Sequence, residues 1–185
     1  MGAVTPKFQF GFKLKEGPTN VRFFKENSTT QTFHKDSLVK LSTAGLLSDM
    51  LEELSTGQTA AFETGFIGVV QKDHTGVANS LIPVYVISPE QVWEVHAAPN
   101  KKPNTGTLYD EGDAVQLAYA AKTAYTLSNG TTSMTTDVGA WYAAHTAASA
   151  AGKGAVVIGY RRGEEGRKGG RMLIKFSLYA CADRY

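Results

Sequence analysis

The sequence predicts a mainly β chain: a small antiparallel β-barrel or sandwich with an extended N-terminal arm and one or two short helices. Three observations predict it. The first residues alternate apolar and polar, compact β-branched and aromatic runs recur between turn-forming stretches, and two strong apolar runs near the end flank a charged, glycine-rich loop. Alternation sends successive side chains to opposite faces of an extended chain, whereas a helix needs apolar residues three or four apart.

The elements follow in order. Within residues 6–14, Phe8, Phe10, Phe12 and Leu14 share one parity, and Lys7, Gln9, Gly11 and Lys13 the other. Such a segment either adds to its own sheet or reaches onto a neighbouring chain. Residues 1–19 are therefore read as an extended arm and 20–185 as a single β-rich domain. After the Gly17-Pro18 turn, 21–24 is rich in strand formers, and a polar run over 27–31 separates it from Phe33. Residues 37–41 read as a short strand and Gly45 as a turn. Leu46, Leu47, Met50, Leu51 and Leu54 recur at helical spacing, with Asp49, Glu52 and Glu53 opposite, and predict a short helix ending near Gly57. The runs 65–71, 82–87 and 92–96 predict strands of a small antiparallel sheet or barrel. A long loop is expected over 97–107, which carries two prolines and the pair Lys101-Lys102. Residues 113–127 fit either an alanine-rich helix or a strand alternating Val115, Leu117 and Tyr119. Asp137 is placed to cap a helix running through 141–148, so 113–151 reads as a helical or mixed insertion. Residues 155–160 and 172–179 form a predicted β-hairpin with a long tip.

Composition narrows the function. With 185 residues, 42% hydrophobic and 19% charged, the chain has the makings of one folded domain rather than a self-repelling disordered one. Its net charge of +2 is too small for a dedicated binder of nucleic acid or anionic membrane. No apolar run reaches the roughly 18 residues of a membrane span. Residues 1–15 lack the continuous apolar stretch of a secretion leader, so none is expected. The single cysteine, Cys181, rules out a disulfide framework within this chain and an all-cysteine zinc cage.

No motif carries catalysis. His34, His74, His96 and His145 are widely spaced and lack a His-Glu-x-x-His pattern. Glu52-Glu53, Asp110-Glu111 and Glu164-Glu165 are sequence neighbours that point apart, which suits solvated surface better than an acid/base dyad. Gly152-Lys153-Gly154 precedes a strand, whereas a phosphate-binding loop follows one and opens a helix. No enzyme, cofactor or metal site is expected; an enzyme built on His74, His96 and Asp73 would require the fold to bring distant residues into one cleft. The remaining charged feature is Arg161, Arg162, Arg167, Lys168 and Arg171 with Glu164 and Glu165. It reads as a solvated hairpin tip or as a contact for an acidic protein surface. The alternative, a small β-barrel using this loop on nucleic acid, lacks the interleaved aromatics that stack on bases.

In order, Phe10-Gly11-Phe12-Lys13, Lys35-Asp36-Ser37-Leu38-Val39-Lys40-Leu41, Ile67-Gly68-Val69-Val70, Val84-Tyr85-Val86 and Trp93-Glu94-Val95 resemble successive strands of the head-decoration, or capsid cement, proteins of tailed bacteriophages. Val157-Ile158-Gly159-Tyr160 and Leu173-Ile174-Lys175-Phe176 resemble that family's closing hairpin. Lys35 stands where the family pattern has glycine, and 114–151 has no counterpart in it. The resemblance implies a small β-barrel on the virion, at the exterior of a capsid assembled in the host cytoplasm. It implies a homotrimer whose partner is the major capsid protein, clamped across adjacent subunits. Extended arms suit that work, because main-chain hydrogen bonds supply affinity and alternate side chains fill pockets. Phe8, Phe10, Phe12 and Lys13 of the arm and the five cations of 161–171 are the expected contact residues.

Overall fold

A computed structural model describes residues 11–26, 32–41, 44–49, 66–75, 77–98, 101–107, 109–120, 124–126, 133–135, 140–144 and 154–177. Among them the chain is mainly β. Six strands form one sheet in the order β1 (Lys13–Glu16), β9 (Val92–His96), β15 (Arg171–Phe176), β14 (Ala155–Tyr160), β10 (Ala114–Ala120) and β13 (Ala140–Ala144). Five form a second sheet: β2 (Val21–Lys25), β8 (Leu81–Val86), β6 (Phe66–Val70), β4 (Leu38–Leu41) and β5 (Leu47–Asp49). Two short pairs accompany them, β3 (Thr32–Phe33) with β7 (His74–Thr75) and β11 (Ala124–Thr126) with β12 (Ser133–Thr135). All these pairings are antiparallel. Neither large sheet closes into a barrel among the described residues. Single bridges only, Glu26–Leu47 and Ala97–Ala143, bring their distant strands together.

The alternation read from the sequence explains how the sheets pack. Leu38 and Val69 of the second sheet are buried with Phe12, Trp93, Ile174 and Phe176 of the first, in one shared core. Phe176 sits at its centre, with ring centroids 5.6 Å from Phe12 and 5.8 Å from Trp93. Val39 and Val70, the next residues along, point the other way and join Phe33, Leu47, Ile67, Ile82 and Val84 in a second apolar cluster. The centre of the five-stranded sheet, β4 and β6, is thus buried on both faces, which is why these strands read as continuous apolar runs.

Pro83 lies within β8, a strand with neighbours on both sides. It is tolerated because β6 ends at Val70, so the missing N–H falls just past the ladder, where only the Pro83 carbonyl is used, accepting from Gln71 N at 3.1 Å.

Three expectations change. The helix expected over 46–54 begins with β5, and residues 50–54 lie outside the described residues. Leu47 is fully buried beside β4, so packing on a neighbouring strand outweighs the helical spacing of its leucines. The helix expected through 141–148 coincides over its first residues with β13, which pairs with β10 from Gln116–Ala144 to Ala120–Ala140. For 113–127, left open between helix and strand, the structure has β10 and β11.

The arm is the third change. Residues 13–16 are an edge strand of the first sheet, with Lys13 opposite Glu94 and Leu14 opposite Trp93. Phe12 is 1% exposed, so it is a core residue and not a partner contact. Its backbone N–H donates to Asp36 O at 2.9 Å, and that close approach requires glycine beforehand: a Cβ on Gly11 would lie 2.5 Å from Asp36 O, at φ +131°. Lys13 lies half-buried on the same strand. Phe8 and Phe10 fall outside the described residues.

Candidate docking surface

The hairpin β14–β15 carries the charged loop, and two acids, buried Glu94 and half-buried Glu164, hold it in shape. Glu94 on β9 has a side chain only 5% exposed, with Lys15 Nζ at 3.1 Å, Arg161 Nη1 at 3.6 Å and Arg171 Nη1 at 3.7 Å. Register explains the meeting: Lys13 and Leu173 both stand opposite Glu94, so the strands on either side aim cations at one carboxylate. Glu164 makes the second clasp. It accepts from Arg171 N at 2.9 Å and from Arg171 Nε at 2.8 and 2.9 Å, and Arg171 Nη2 completes a fork. Burial alone would raise the Glu164 carboxyl, but the hydrogen bonds from Arg171 outweigh it and hold it below the ordinary value. The same bonds raise Arg171.

The tip also docks on the long loop. Gly166 N donates to Pro103 O at 2.9 Å, and Gly169 N to Lys101 O at 2.8 Å. His96 Nδ1 donates to Gly169 O at 2.8 Å, and burial of the ring lowers its pKa. Gly170 fits where no other residue would, since a Cβ there would lie 2.4 Å from Glu164 O and 3.2 Å from Pro103 Cγ. Two loops distant in sequence therefore form one platform.

Its cations divide into two groups. Arg171 is engaged by Glu164 and Glu94, so its expected role as a partner contact becomes that of an internal fastener. Arg161 is half-exposed and leans on Glu94 and, at 4.0 Å, on Glu164. Arg162, Arg167 and Lys168 face solvent and make no ion pair among the described residues. Lys101 and Lys102, exposed on the adjoining loop, join them. Sequence reasoning assigned that pair no role; its signal was a doubled lysine between prolines, meaningful only once the loop is known to dock beside the hairpin.

Other candidates separate. His96 is bound to the tip. His74 Nε2 lies 3.3 Å from Glu26 Oε2 beside β2, and Asp73 accepts from Lys35 N at 2.8 Å. Each of these three has a different set of neighbours, so no shared catalytic arrangement is formed by them. Among the described residues no group of three His, Cys, Asp or Glu is placed to hold a metal ion. Tyr160 donates from its hydroxyl to Tyr109 O at 2.7 Å, and burial followed by the charges of Asp110, Glu111 and Asp113 raises its pKa. Compared with protein-family models, curated proteins and solved structures, the chain matches none of them.

Proposed function

We propose that this protein is a structural virion component that docks on the outer surface of a phage capsid and cements adjacent major capsid subunits. The observation that carries the reading is the rigid basic platform of Lys101, Lys102, Arg162, Arg167 and Lys168, fastened from beneath by Glu94 and Glu164. A pre-shaped charged surface binds an acidic protein face with little ordering cost. We read the two sheets as small barrel-like halves, each curled until the Glu26–Leu47 or Ala97–Ala143 bridge forms, and this stiffness suits a clip. Threefold self-association belongs to the same proposal, since symmetric repetition multiplies modest contacts by avidity.

Sedimentation with empty capsids tests it. The intact protein is expected to pellet with the shells, and Arg167→Glu with Lys168→Glu to reduce the bound fraction by about tenfold while the protein stays folded. Deleting residues 1–10 tests the arm while keeping Phe12 and β1; a longer deletion through residue 15 would remove Phe12 and unfold the sheet. Unchanged attachment after both changes overturns the reading. Steeply salt-dependent binding to DNA, with none to capsids, would instead support the nucleic-acid alternative.

A further inference from the structure

A second surface lies away from the basic platform, on β2. We infer that β2 is a receiving edge for an extended segment of a partner protein in which acidic residues alternate with apolar ones. The inference stands whether or not the platform grips a capsid.

The main chain makes the first part of the case. Pro83 opposes Phe23 and has no N–H to donate, while its carbonyl turns to Gln71. Phe23–Pro83 is therefore a pair that exchanges no hydrogen bonds. Ladder bonds fall on the alternate pairs, as the bonds at the two ends confirm: Val86 N to Asn20 O and Glu26 N to Ser80 O, both 2.8 Å. The N–H and C=O groups of Val21, Phe23 and Lys25 consequently point away from β8. On that side the bridge from Glu26 to Leu47 of β5 engages the Lys25 end, and among the described residues no strand lies along Val21 to Phe23. This is a template for an added strand.

The side chains make the second part. Val21, Phe23 and Lys25 share a face with Tyr85, Pro83 and Leu81 across the ladder. Phe23 is 65% exposed and Leu81 64%, unusually open for residues of their size. Val77 stands open at the turn leading into β8. Arg22 and Lys25 are also exposed and pair with no described acid.

Charge selects the occupant. A second copy adding antiparallel through its own β2 would set two Arg22 and two Lys25 along one short seam, and like charges across strands repel. A segment with acids opposite Arg22 and Lys25 and an apolar residue opposite Phe23 satisfies both the charges and the exposed ring.

The probe is a synthetic peptide containing Asp-Thr-Val-Glu-Val between Gly-Ser ends, with Lys-Thr-Val-Lys-Val as its control. The acidic peptide is expected to bind at least about tenfold more tightly than the basic one, and to slow amide exchange at Val21, Phe23 and Lys25. Arg22→Glu with Lys25→Glu should invert the preference, whereas Arg167→Glu with Lys168→Glu should leave it unchanged. Phe23→Pro should abolish binding by removing an outward N–H that the native ladder does not use; the charge reversal keeps the test decisive if that variant fails to fold. Equal binding of the two peptides, protection located at the basic platform, or a dimer that disappears on altering Phe23 would each overturn the inference.

Discussion

Phe12 concentrates the residue-scale chemistry. Its ring fills the space between the sheets beside Phe176, and its N–H ties the first sheet to Asp36. Phe12→Ala should cost about 3 to 5 kcal/mol, read as a lower denaturant midpoint with little change in slope. Burial of Asp36 raises its carboxyl. The alternating parity of Phe12 and Leu14 was legible in the sequence, because both pack on the shared core. Which core they fill was not. A two-residue period states that one face is buried, but whether by its own sheet or a neighbour's depends on contacts with Trp93 and Phe176, far along the chain.

At the scale of elements, the hairpin tip behaves as a fastened unit, and its fastenings respond to acid. The His96 pKa is lowered, so the unfastened state binds more protons and stability falls as pH drops below the ordinary histidine value. Glu164 is also lowered, and its contribution is present above the ordinary glutamate value and lost as pH falls through its folded one. Both act in the same direction. Protection of the Gly166, Gly169 and Arg171 amides, measured relative to their intrinsic exchange rates, is expected to fall from pH about 7 to about 5 and again below about 4, while core amides of β9 stay protected. Gly170→Ala should open the tip at all pH values, since its Cβ meets the Glu164 carbonyl; the same exchange measurement reports it. The strands β9 and β14 were legible to the residue from β-branched runs bounded by turns. The stretch now seen as β10 and β13 was not, because alanine fits either state and only the pairing of one strand with the other decides.

For the whole molecule, two sheets carry the two surfaces proposed as contacts. The basic platform draws on loops at 101–107 and 161–171, and the apolar edge on β2 and the turn before β8. Of the candidate contacts, the exposed cations of the hairpin tip were visible as a charge run; Arg22 and Phe23 were not, since an edge strand reads like any other until its neighbours are known. The attachment of residues 12–16 has a mechanical consequence. Hydrogen bonds between β1 and β9 run across the strand direction, and Phe12 is seated beneath them. Tension applied at Gly11 along the axis of β1 would load the whole ladder in shear and drag an aromatic ring through the packed interior, rather than unzip one bond at a time. Strand β1 is thus moored so that it can bear load applied at Gly11.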